Sequence, residues 1–183
     1  GPRMATRALR AHHLPGVDVR FVANVDPADL DAALAGLDPA TTLFVIVSKT
    51  FTTVETLANA HAARQWLIDD LGETAVASHV VAVTTATEQA KSFGIAQEAI
   101  FGCWDWVGGR FSLSSPVGLA IQLAIGTDAM ADLRAGMHTV DADFATQPPR
   151  SNGALLLGML DVWHSTFLDY TDKAVVPYAQ DLE

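Results

Sequence analysis

A chain of 183 residues, half of them apolar, is long enough for one domain with a substantial core, and this composition excludes disorder as its main state. Eleven basic against twenty-one acidic residues give a net charge of −10. Overall repulsion then opposes a surface that tracks nucleic-acid phosphates, although a local site for a small anion can override it. The single cysteine, Cys103, excludes an internal disulfide and a thiolate-only metal site, and a reducing, cytoplasmic compartment fits this usage. No apolar run reaches the length of a membrane span, and the first residues have no signal-peptide core.

In chain order, residues 3–11 read as a helix with nothing before it. Residues 17–25 (VDVRFVANV) alternate and are β-branched, which predicts a strand. Asp26-Pro27 stops it, and 27–37 read as a helix with proline in the first turn. The apolar run 43–47 (LFVIV) is the signature of a strand buried on both faces, as in a parallel sheet. A long helix over 53–71 closes at Gly72. A second apolar strand covers 79–84, a short helix 88–93 ends at Gly94, and a brief strand covers 99–101. Beyond Ser114 the sequence reads as helical over 116–125, about 128–144 and 151–168. This alternation predicts an α/β fold, a three-layer sandwich with a parallel sheet flanked by helices, and places ligands at the carboxyl ends of the strands.

Two segments could carry chemistry. Ser48-Lys49-Thr50-Phe51-Thr52-Thr53 follows the first apolar strand and precedes a helix. Four hydroxyls and an ammonium at a helix N-terminus suit phosphate oxygens, because free N–H groups and the positive dipole end favour an anion there. Ordinary capping is the alternative, since Thr52-x-x-Glu55 has the form of a capping box and Lys49 could be a solvated loop residue. No Walker A loop and no G-x-G-x-x-G occur. The second segment is Trp104-Asp105-Trp106-Val107-Gly108-Gly109-Arg110-Phe111-Ser112. Its paired glycines allow a close backbone approach to a ligand, and Arg110 could donate to an oxyanion. The alternative is a tight turn in which Arg110 pairs with Asp105 and the tryptophans fill the core. The six histidines form no metal-ligand spacing, and no metal or organic cofactor is expected. Ser112, Ser114 and Ser115 read as loop and cap residues, since the nucleophile elbow G-x-S-x-G is absent.

Together these segments resemble the glucose-6-phosphate isomerase family. Residues 48–56 are similar to its Ser-Lys-Thr-Phe-Thr-Thr-x-Glu-Thr stretch, and 105–113 to its Gly-Gly-Arg-Phe/Tyr-Ser signature, in the same order. Residues 21–26 (FVANVD), 37–42 (LDPATT) and 175–178 (VVPY) agree as well, so the resemblance covers essentially the whole chain. It implies a single sugar isomerase (SIS) domain over 1–183, truncated at both ends and lacking its opening strand. It implies that Ser48, Lys49, Thr50 and Thr53 hold the sugar phosphate, that Gly109 lies at the reacting end of the sugar, and that Arg110 is catalytic. The implied reaction interconverts glucose 6-phosphate and fructose 6-phosphate through a cis-enediolate, in a homodimeric enzyme with no nucleic-acid or membrane partner. The family's Gly-Gly-Ser-Asp-Leu-Gly-Pro loop has only Gly1-Pro2 as a counterpart here, and its catalytic Glu-Ser-Asn-Gly-Lys stretch has none. Arg150-Ser151-Asn152-Gly153 imitates part of that string without the glutamate and receives no role. The isolated polypeptide is therefore expected to be inactive, and an exposed sheet edge is expected to make it self-associate. A non-catalytic sugar-phosphate-binding SIS module would share the hydroxyl-rich loop without needing the Gly-Gly-Arg segment.

Overall fold

The computed structural model describes residues 1–182, with the side chain of each except Arg110 and Leu182. Helix α1 (Pro2–Ala8) packs its Ala5 against the later helices, and α2 (Pro27–Leu34) starts on an Asp26 cap that accepts the Ala28 N–H. Strand β1 (Phe44–Val47) leads through the 48–53 loop into α3 (Val54–Leu71), which ends at Gly72 with φ 82°. A short turn and α4 (Val76–His79) feed β2 (Val80–Thr84). Helix α5 (Thr87–Phe93) ends on left-handed Gly94 and returns the chain to β3 (Ile100–Gly102).

The three strands are parallel in the order β1-β2-β3, with Phe44 opposite Val80 and Ala82 opposite Ile100. Alternation along β1 and β2 turns Ile46, Val80 and Ala82 into a core completed by Ala60 and Leu67 of α3, Val76 of α4 and Phe93 of α5. The helices α6 (Leu119–Thr146) and α7 (Gly153–Val162) follow. Within α6 the backbone breaks at Gly126, φ 84° and ψ 170°, so it is two helices joined at a sharp corner, as the separate readings over 116–125 and 128–144 anticipate. Ile121, Ala124, Ile125 and Met130 from both sides of the corner enclose Ala5 in a second core.

One expected strand is absent. Residues 17–25 form no ladder. The Ala23 and Asn24 N–H groups donate to the Asp29 carboxylate at 3.2 and 3.1 Å, and the Asn24 carbonyl accepts from Asn59 Nδ2 at 2.7 Å. Arg20 Nη1 ties the stretch to the Ala33 and Ala35 carbonyls at the end of α2. Side chains therefore take up the polar groups that a neighbouring strand would have used. The helix expected over 27–37 stops at Leu34, and His79 closes α4 instead of opening a strand, its Nδ1 lying 2.8 Å from the Thr42 carbonyl oxygen.

A hydroxyl loop tied to a paired-glycine turn

The 48–53 loop leaves the carboxyl end of β1 beside that of β2. Ser48 continues β1, its N–H donating to the Val83 carbonyl at 3.2 Å, and it is only 5% exposed. The Lys49 carbonyl accepts three hydrogen bonds from the end of β2 and the residue after it. These come from the Thr84 hydroxyl at 3.1 Å, the Thr85 hydroxyl at 2.7 Å and the Thr85 N–H at 2.9 Å. Nothing in the local sequence marks Thr84 and Thr85 as partners of the loop; the only signal is a pair of threonines ending an apolar strand. Phe51 turns the chain with φ 53° and buries its ring, leaving Thr50, Thr52 and Thr53 exposed.

The capping-box alternative is not what forms. Helix α3 takes Thr53, not Thr52, as its N-cap residue, and no side chain bonds to its first-turn N–H groups. The hydroxyls face each other instead. Ser48 Oγ donates to Thr53 Oγ1 at 3.4 Å, and the Thr50 and Thr52 hydroxyls lie 2.7 Å apart. The helix thus presents open donors and its positive dipole end beside a cluster of hydroxyls, an arrangement chemically suited to an anion.

Lys49 joins this loop to the second segment. Its ammonium donates to the Asp105 carbonyl, 56 residues along the chain. An ammonium carries three donors, so two remain for a ligand. Beyond Asp105, Val107 is buried and its N–H donates to the Trp104 carbonyl at 3.0 Å. Gly108 is extended, while Gly109 has φ 58° and opens a single 3-10 turn, Gly109–Phe111. The Ser112 hydroxyl locks that turn by donating to the Gly109 carbonyl at 2.7 Å, and the Ser115 hydroxyl donates in turn to the Ser112 carbonyl at 2.6 Å. The backbone of Arg110 lies in this turn; its side chain lies outside the described residues.

The tryptophans do not fill the core. Trp104 and Trp106 stack on one another, centroids 5.3 Å apart at 18°, and Trp106 is 79% exposed. The two buried cores are filled by aliphatic, phenylalanine and methionine side chains instead. Among the described residues no three His, Cys, Asp or Glu side chains gather as a metal site, and no helix is long and apolar enough to cross a membrane. Asn152, in the string that imitates the family's catalytic stretch, caps α7.

A parallel α/β domain with an anion-receptive loop at the carboxyl edge of its sheet is a familiar architecture for proteins that handle phosphorylated metabolites. The chain belongs to the phosphoglucose isomerase family, whose pattern it matches over residues 1–183. It is 55% identical over 182 residues to glucose-6-phosphate isomerase 3 of Rhodococcus jostii, covering 100% of this chain and 33% of the relative. The glucose-6-phosphate isomerase of Mycobacterium ulcerans is 54% identical with the same coverage. Among solved structures, a glucose-6-phosphate isomerase from Chlamydia trachomatis superposes with a TM-score of 0.88 at 35% identity, over 99% of this chain and 35% of its own. A hypothetical protein from Thermus thermophilus gives 0.76 at 28% identity, over 89% and 38%. The chain therefore spans about a third of the length of the curated relatives it matches.

Proposed function

We propose that these 183 residues are part of an aldose–ketose isomerase that interconverts glucose 6-phosphate and fructose 6-phosphate, and that they supply its phosphate-binding loop and its Gly109-Arg110 segment. In this reading the Ser48, Thr50 and Thr53 hydroxyls and the first N–H groups of α3 donate to phosphate oxygens, and Lys49 adds its charge. Gly109 lets the backbone approach the reacting end of the sugar. Arg110, a cation at every accessible pH, stabilises the negative charge that develops on oxygen as the enediolate forms, a contribution of about 3–4 kcal/mol for a well-placed donor. The glutamate that would move the proton between C2 and C1 has no counterpart in these residues, so the isolated polypeptide does not turn substrate over. It does not need a metal or an organic cofactor for the part it plays.

The observation that carries the reading is the bond from the Lys49 ammonium to the Asp105 carbonyl. It brings together two motifs that follow the two edge strands of the sheet, β1 and β3. A non-catalytic sugar-phosphate-binding module would use the loop alone and would not require the locked Gly109–Phe111 turn beside it.

The test is a fluorescence titration of this chain with fructose 6-phosphate, read at Trp104 and Trp106, against fructose plus inorganic phosphate at matched ionic strength. A saturable response to the sugar phosphate is expected, weakened about tenfold or more in Lys49→Ala and in Thr53→Val through loss of a charge-assisted or hydroxyl donor. An equal response to the mixture, or none from a cooperatively folding sample, would refute the assignment.

A further inference from the structure

Among the described residues only two non-glycine positions have a left-handed backbone, Phe51 (φ 53°) and Asp169 (φ 57°). Aspartate tolerates that conformation through local hydrogen bonding, whereas phenylalanine has no such compensation and is strained there. Phe51 is nevertheless 4% exposed. Its ring meets Phe93 edge to face, centroids 5.8 Å apart at 77°. Phe93 is itself held. His61 lies against its ring at 5.0 Å, the Arg64 guanidinium sits 5.8 Å from its centroid, and Arg64 Nε donates to its carbonyl at 3.2 Å. The Phe51 N–H also donates to the Ser48 carbonyl at 3.3 Å and closes the turn that opens the loop.

A glycine would adopt this backbone without cost, and it would leave the loop free to take many others. A buried aromatic ring does the reverse, fixing one conformation by packing that offsets the strain. We propose that Phe51 is a positioning residue. Its ring acts as a peg that holds the Thr50, Thr52 and Thr53 hydroxyls and the start of α3 in the binding arrangement before any ligand arrives. The inference rests on the reading of residues 48–53 as the sugar-phosphate loop. Preorganisation of this kind shows as affinity, because a loop already in place loses no freedom on binding.

The experiment measures the dissociation constant of fructose 6-phosphate and the melting temperature for four forms of this chain: wild type, Phe51→Gly, Phe51→Leu and Leu67→Ala. Leu67 is wholly buried in the same core and remote from the loop hydroxyls, so its truncation lowers the melting temperature without touching the peg. Phe51→Gly is expected to weaken binding about tenfold or more, and Phe51→Leu, which keeps bulk but not the ring, about threefold. Leu67→Ala is expected to bind as wild type at temperatures below its transition. Affinity that follows melting temperature across all four forms would overturn the proposal. So would wild-type affinity in a folded Phe51→Gly or, where that variant does not fold, in Phe51→Leu. A wild-type chain with no saturable response would refute the site reading itself and this inference with it.

Discussion

A Cβ built on Gly118 would stand 2.3 Å from the Leu113 carbonyl oxygen and 2.9 Å from the terminal methyl of Met130. The first of these is backbone and cannot swing aside. Gly118 ends the short turn that carries the chain from the Ser112–Ser115 hydrogen bonds into α6, so even a methyl group must displace the support of the paired-glycine turn. Gly118→Ala is expected to destabilise by about 1–3 kcal/mol, the usual cost of overpacking. Gly136 is the control. It lies mid-helix in α6 and is exposed, and a methyl group there would meet nothing within 4 Å. Gly136→Ala should stabilise by roughly 0.5–1 kcal/mol, because alanine loses less backbone freedom on entering a helix. Urea denaturation of the two variants against wild type checks both signs, and a stable Gly118→Ala protein would show that the turn can yield.

The start of helix α7 shows how an element is held by one side chain. Asn152 is buried; its Oδ1 accepts the Leu155 N–H at 3.0 Å while its Nδ2 donates to the Phe144 carbonyl at 2.8 Å. One amide therefore caps α7 and fastens it to the end of α6. Asn152→Ala should cost about 0.5–2 kcal/mol, the range for loss of a cap, and should speed proteolytic cleavage near residues 147–152 before any global unfolding. The elements that could be read directly in the sequence are those whose signal is local. The LFVIV run became β1, the glycines at 72 and 94 ended α3 and α5, and the two helices around 126 met at a glycine corner. Residues 17–25 misled because alternation reports which side chains suit a sheet but says nothing about whether a neighbouring strand is there to pair. The site divided in the same way. Both motifs were visible as strings, yet the bonds from Thr84 and Thr85 to Lys49 and from Lys49 to Asp105 join positions 35 to 56 residues apart. Periodicity and capping signals do not reach that far.

Across the whole molecule the distribution of apolar surface is uneven. Leu157, Met159, Leu160, Trp163 and Phe167 are all exposed on α7 and the turn that follows it, and residues 151–160 carry no charge. A groove between α6 and α7, lined by Phe144, Leu155, Met159 and Trp163, continues this face. Contiguous apolar surface of this kind drives association. The net charge of −10 opposes it by mutual repulsion. Salt screens the repulsion within about 8–10 Å at physiological ionic strength and leaves the apolar attraction in place. Sedimentation velocity should therefore show the isolated polypeptide associating more strongly as salt is added, and Leu157→Glu should reduce the association at every salt concentration. A polypeptide that stays monomeric in high salt would refute this expectation.

The threefold hold on the Lys49 carbonyl has a consequence for altering the protein by design. The path of the loop past Lys49 is set by that oxygen and by Thr84 and Thr85, whatever side chain position 49 carries. The backbone of this one residue thus fixes the path of the loop, while its side chain ties the loop to the Asp105 segment. A library that varies position 49 would keep the backbone path of the loop while releasing its tie to Asp105, whereas variation at Phe51, two residues on, would change that path itself.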